Sequence, residues 1–355
     1  MAMWFKNIFG VPEAQSYSKT QLLFSMDETG MKLKCPTSKH NGGIFHVGEF
    51  NTPTLSELRE QAEASQMPAA DGGRLTFEHL PTPTGVVPLI LDPSNTDCVF
   101  QAASQFNCLE MVGPGVSPRQ GIAIYANDPT QGPKCAIACP AGTVFRNYFV
   151  NGKGQGETQI DCLARVGEVV GNGADTPKSK PRYWTMQNGY ALPVTTMAMQ
   201  ELGTRLANEE GLAEKAEAAL QVGVHWDTEA SPPHTHRVCQ VYASAVPVAY
   251  AKSTSSTNWE PFARLVLRAA YDATLLVGRL KAARAGKRVR VYLTMLGGGA
   301  FGNRDVWVRD AIVGALERHK DAPIDVKLVH YGTRIPGIYA DIRSMPPAGT
   351  DTPCA

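Results

Sequence analysis

No apolar run in this chain of 355 residues approaches the roughly 20 residues that a helix needs to cross a bilayer. The opening, Met1 to Lys6, lacks a basic region followed by a long apolar stretch, so no secretory leader is expected. An excess of one charge sign is missing too: 34 Lys and Arg stand against 33 Asp and Glu, a formal net charge of +1. That balance supports neither a nucleic-acid coat nor a polybasic membrane tether, so an anionic ligand has to be held locally. Cysteine is sparse, eight residues in all, too few for a disulfide scaffold at this length. Cys135 and Cys139 have no second pair at ligand spacing, so no metal is implied. The expectation is a soluble, cytoplasmic monomer with reduced and mostly buried thiols, no metal and no cofactor.

What is present is alternation. Residues 1–75 mix short apolar runs with turns, and Thr54-Leu55-Ser56-Glu57 is a capping box opening a helix to about Ser65. From Leu75 to about Tyr148 the pattern predicts short strands, for instance 86–91 and 98–103, between Pro, Gly and Asn clusters. Residues 171–182 are polar and turn-rich, as in a surface insertion, and a helical pair follows over 194–208 and 212–221. The chain then reads strand 238–246, a helix behind a cap at Asn258, strand 288–294, helix 305–319 and strand 324–330. Such alternation implies a mostly parallel sheet flanked by helices, with ligands beyond the carboxyl ends of the strands.

The loop after the 288–294 strand is Gly297-Gly298-Gly299-Ala300-Phe301-Gly302-Asn303, and it leads into a helix. Glycines let a backbone approach phosphate oxygens, and a helix start adds unpaired N–H groups. The loop also satisfies GxGxxG, with Asp321 at a distance suited to a ribose, which keeps a dinucleotide-binding oxidoreductase in view. Position speaks against it, because only one helix and one strand remain downstream.

Residues 238–332 resemble the second half of a macrodomain: a strand ending at Pro247, a long helix carrying Leu267-Arg268-Ala269-Ala270-Tyr271, and the glycine loop with Phe301. That loop is especially similar to the corresponding loop of poly(ADP-ribose) glycohydrolases. Earlier in the chain, Val99 to Asn107 resembles the family's strand and Asn-containing loop, but the glycohydrolases' Gly-Gly-Gly and Gln-Glu-Glu signature is absent, so their catalytic glutamates do not transfer. The segments 107–111 and 128–133, with Arg146-Asn147-Tyr148, look like the divergent MavL-type ADP-ribosylhydrolases. The resemblance implies an α/β macrodomain-like fold over 76–335, with residues 1–75 as an N-terminal extension and 336–355 as a tail. It further implies removal of mono-ADP-ribose from protein side chains, arginine and those of ubiquitin included.

Cleaving ribose C1″ from a guanidinium nitrogen passes through an oxocarbenium-like state, for which carboxylates are the relevant groups. Three clusters offer them: Glu110 beside Asn107; Asp128 beside Gln131; and Asp227 with Glu229. The third is the expected pair, since alternation around Thr228 on a strand would point both acids the same way. Glu110 is a further catalytic candidate. Ligand contacts are expected from Asn107, Asp128, Gln131, Gly297, Gly298, Gly299, Ala300, Phe301, Gly302, Asn303 and Trp307, with Asp305 as a helix cap. The alternatives are a noncatalytic macrodomain that recognises ADP-ribose, and the oxidoreductase.

Overall fold

The computed structural model describes residues 3–65, 73–173, 180–251 and 255–342. Its centre is a seven-stranded sheet: β1 (Glu49–Asn51), β2 (Thr76–Thr82), β3 (Val99–Ala103), β4 (Gly223–Glu229), β5 (Arg237–Ala243), β6 (Val289–Leu293) and β7 (Ile324–Tyr331). The order across the sheet is β1-β4-β5-β3-β6-β7-β2. Strands β5, β3, β6, β7 and β2 run parallel, while β4 is antiparallel to both β5 and β1. The expected α/β architecture, a mostly parallel sheet flanked by helices, is therefore observed.

Two crossovers build the ligand-bearing half. Helix Ser256–Ala285 links β5 to β6, and helix Asp305–Arg318 links β6 to β7. Both move the same way across the sheet, so the right-handed crossover rule puts them on one face, and they pack on each other. The long helix forms because Phe262, Leu265, Val266, Ala269, Leu276 and Leu280 recur at helical spacing; all are buried, each large one worth about 1.5–3 kcal/mol. It ends where Gly286 turns left-handed at φ 62°. Ser255 is its N-cap, and Asn258 lies inside its first turn. A Cβ on Gly278 would fall 2.5 Å from Val291 Cγ2, so a glycine there lets the helix lie flat on β6.

The opposite face carries helices Gln131–Ala138 and Pro140–Tyr148 beneath an N-terminal layer. That layer comprises helix Met3–Phe9 and a small antiparallel sheet of Ser25–Met26, Lys32–Lys34 and Ile44–His46. Phe5, Phe9, Phe24 and Phe45 form its own core with Leu109, Tyr125, Val144 and Tyr148. Residues 1–75 also supply β1 to the main sheet, and the Thr54–Glu57 capping box opens helix Leu55–Ala64.

Other expectations shift. Residues 86–91 form a helix, Val87–Leu91, not a strand: Pro88 in its first turn fixes a helical φ, and β2 already holds the sheet edge. The 171–182 insertion is described only at its ends, where Asn172 Oδ1 accepts from the amides of Tyr183 and Trp184; residues 174–179 lie outside the described residues. Of the 336–355 tail, Tyr339 and Ile342 pack into the main core, and residues 343–355, Cys354 included, lie outside the described residues. The other seven cysteines are buried and unpaired. No described helix is long and apolar enough to cross a membrane.

Candidate functional site

Beyond Tyr292 the chain that leads to the glycine loop parts from β3, since β3 and β6 pair only at Val99↔Val291 and Phe100↔Tyr292. Two glutamines fill the gap. Gln131 accepts from the amide of Ala103 and donates to the carbonyl of Gln101, both at 2.8 Å, so its amide stands in for a strand residue. The Gln101 side chain accepts from Thr294 N at 3.2 Å and donates to Thr274 Oγ1 at 2.9 Å. Gln131 is thereby spent on backbone, and its place is behind the site rather than on a ligand.

Two side chains brace the loop, Tyr271 and Asn303. The Tyr271 hydroxyl donates to Thr294 O at 2.7 Å and accepts from Leu296 N at 2.9 Å. Asn303 donates from its amide N to Gly297 O at 2.9 Å and from its side chain to Val246 O at 2.9 Å, tying the loop to the turn after β5. Asn303 is thus a buried brace. Gly297 and Gly302 sit at φ 70° and 69°, a region costly for residues with a Cβ. The amides of Gly298 and Gly302 are closed internally, to Met295 O and Gly299 O. Among the described residues, no acceptor takes the amides of Gly297, Gly299, Ala300 or Phe301, and Gly299 and Ala300 are exposed. Unpaired N–H groups beside a helix start are what an anionic oxygen needs.

Asp305 is the first residue of that helix rather than its cap, which is Arg304. Its Oδ1 accepts from Tyr339 Oη at 3.1 Å. Trp307 is 1 % exposed within the main core and offers no face to a base. Asp321 lies before β7, at the opposite end of the parallel strands from the loop, which removes the ribose-binding acid that a dinucleotide reading requires.

Phe301 instead meets Tyr190 and Tyr250, with ring centroids 5.4 and 5.7 Å away, and those two are 5.1 Å apart. Burial pushes the Tyr190 hydroxyl up, with Tyr250 and the nearby Asp128 carboxylate adding to it. The charge of Asp128 is thus felt at the cluster that receives the loop. Asp128 is half-buried, at the end of the 3-10 turn Ala123–Asn127, and accepts from Thr130 N at 2.8 Å.

Glu110 lies behind this front and is 1 % exposed. Its amide donates to the Tyr125 hydroxyl at 3.0 Å, and its Oε2 faces Arg146 Nη2 at 3.5 Å, leaving Oε1 without a partner among the described residues. Enclosure pushes its carboxyl up to about 7, with the Arg146 guanidinium pulling the other way. Arg146 is fully buried, stacked 3.6 Å over the Tyr242 ring and bonded through Nε to Cys108 O at 3.0 Å. Asn107, fully buried, accepts from Leu109 N at 3.1 Å and donates to Gln159 Oε1 at 2.8 Å, so it shapes its own loop.

Asp227 and Glu229 are not brought here. Strand β4 runs antiparallel to β5, with Glu229 opposite Arg237 at the amino end of β5, so both acids lie at the far end of the sheet from the glycine loop. Nor do they form a matched pair. The register slips at this point, Asp227 adopts φ 55° and pairs with Lys281, and Glu229 accepts from Asn41 Nδ2 at 2.6 Å and His46 N at 2.7 Å. A bulge breaks the alternation on which the expected clamp depended.

Two cavities, of about 260 Å³ beside Tyr17, Arg119 and Lys153 and about 320 Å³ beside Thr54 and Lys215, lie away from the glycine loop. Fold and site together define an α/β protein with an amide-lined loop at the carboxyl ends of its strands. No protein-family model and no curated protein sequence matches the chain. Among solved structures it is similar to poly(ADP-ribose) glycohydrolase from Thermomonospora curvata, at 13% identity over 87% of this chain and 90% of that one, with a TM-score of 0.43. The enzyme of the same name from Deinococcus radiodurans, in complex with ADP-ribose, gives 12% identity, coverage of 81% and 89%, and a TM-score of 0.41. The T. curvata protein bound to the inhibitor ADP-HPD gives 12%, 88% and 93%, and 0.41.

Proposed function

We propose that this protein is an ADP-ribosylhydrolase that releases mono-ADP-ribose from protein side chains, arginine above all, without a metal. One observation supports the reading: among the described residues the amides of Gly299, Ala300 and Phe301 have no acceptor, while Phe301 packs on Tyr190 and Tyr250, and the charge of Asp128 is felt at Tyr190. In this reading the amides of Gly299, Ala300 and Phe301 take the diphosphate, and Asp128 faces ribose C1″. Aromatic rings with a carboxylate charge in reach suit a guanidinium, which favours arginine over uncharged linkages. Water adds at C1″ as the bond to the guanidine nitrogen breaks; Asp128 takes the proton from water, and the departing nitrogen is protonated. Glu110, whose enclosure raises its carboxyl to about 7, serves that transfer through a bridging water.

The enclosure of Glu110 also favours a second reading, a noncatalytic module that only recognises ADP-ribose. One experiment separates them. Incubation with an arginine-modified protein is expected to release ADP-ribose, with Asp128→Asn lowering turnover by about a hundredfold while calorimetric binding of ADP-ribose persists. Binding without release would leave the recognition module; absence of both would remove ADP-ribose from the account.

A further inference from the structure

A carboxylate of the N-terminal layer is bonded to the turn that ends at Asp128. Glu13 accepts from Ile122 N at 2.8 Å and Ala123 N at 2.7 Å, one bond to each oxygen, and from the Tyr148 hydroxyl at 2.6 Å. The preceding Gly121 has φ 86°, and a Cβ there would stand 2.4 Å from Glu13 Oε2, so the backbone is pressed against the acid. Trp4 adds a bond from Nε1 to Ala123 O at 3.2 Å. These contacts fix the start of the turn that ends at Asp128. Within it, Tyr125 N donates to Ile122 O at 3.1 Å and Asp128 N donates to Tyr125 O at 3.2 Å, while the Tyr125 hydroxyl accepts from Glu110 N. Both candidate acids thus hang on a turn whose first two amides end on Glu13.

We propose that Glu13 is a positioning residue for hydrolysis: a carboxylate from outside the α/β core that sets where Asp128 stands. The inference rests on the hydrolase reading above. A carboxylate is the group suited to the task, since two parallel N–H donors need two acceptor oxygens, and an amide side chain would turn an NH2 toward one of them. Because Glu13 lies on the Asp128 side and the glycine loop is braced separately by Tyr271 and Asn303, its loss separates turnover from ligand grip.

The test compares the full-length protein with Glu13→Gln, Phe24→Ala, Asp128→Asn and the Glu13→Gln/Asp128→Asn double variant. Phe24 belongs to the same N-terminal core, packing on Phe5 and Phe9, and touches neither acid nor loop, so it controls for lost stability. Glu13→Gln is expected to lower kcat by about tenfold or more, since misplacement near 1 Å costs up to about a hundredfold. Calorimetric affinity for ADP-ribose should stay within about twofold, Phe24→Ala should keep kcat at a temperature well below its Tm, and Glu13→Gln should cost nothing further beside Asp128→Asn. Unchanged kcat in Glu13→Gln, or an equal loss in Phe24→Ala, overturns the positioning role and leaves the hydrolase reading intact. A wild-type protein that releases no ADP-ribose overturns that reading and the role of Glu13 with it.

Discussion

The Tyr271 hydroxyl bridges the two sides of the turn that starts the glycine loop, donating to Thr294 O and accepting from Leu296 N while fully buried on the long helix. Tyr271→Phe keeps the ring and strands two backbone groups. It should cost about 1–3 kcal/mol in denaturant unfolding and weaken ADP-ribose binding several-fold by calorimetry. Full stability with full affinity would show the bridge to be incidental.

Two neighbouring glycines are expected to behave oppositely. A Cβ on Gly297 would fall 2.4 Å from Ala245 Cβ at a φ of 70°, whereas one on Gly299 meets nothing within 4 Å. Gly297→Ala should lower ADP-ribose affinity by more than about tenfold through a displaced loop. Gly299→Ala should fold normally and bind ADP-ribose within a few-fold of wild type by calorimetry.

Acids at the far end of the sheet should matter for stability only. Glu229→Ala removes the acceptor for Asn41 and for the His46 amide, and a loss of about 1–3 kcal/mol with unchanged turnover is expected. Asp227→Ala frees Lys281, which keeps Asp97 at 3.1 Å, so a smaller effect is expected. A collapse of turnover in either variant, measured well below its Tm, would return that acid to the active centre.

Acid sensitivity should centre on Asp272. His319 Nε2 at 2.6 Å and Arg59 Nη2 at 2.7 Å face its buried carboxylate, and although burial works the other way, these partners and Arg318 hold it down to about 2. A folded-state value below the unfolded one gives stability that is complete above the unfolded pKa near 3.8 and lost as pH falls through about 2. The contribution is on the order of 2 kcal/mol. Urea unfolding from pH 6 to 2 should show that slope, and Asp272→Asn should flatten it.

Much of the second half was legible because its elements are long and strongly periodic. The expected helix 305–319 is Asp305–Arg318, and the expected strand 324–330 is Ile324–Tyr331. Local pattern failed where a tertiary event decided the outcome. The bulge at Asp227 has no signature in Val224-His225-Trp226-Asp227-Thr228-Glu229, which reads as plain alternation. Arg146 enters the sequence reading only through the family resemblance, and its partner ring, Tyr242, lies almost a hundred residues away. The strand 99–103 carries a hint that was available, two glutamines thirty positions apart, Gln101 and Gln131, but only the parting of β3 from β6 shows what they fill. Glu13 gave no local sign, since its partners lie more than a hundred residues away.

The sheet's outer strands have a bearing on how the protein comes into being. Among the described residues, 76–82 find their sole strand neighbour at 324–331, and 49–51 find theirs at 224–226. On the ribosome, the early segments therefore wait for most of the chain to emerge, with one flank of each ladder open to foreign pairing. Contacts so distant in sequence make assembly slow, and holdase chaperones that shield such edges would raise the yield of native molecules.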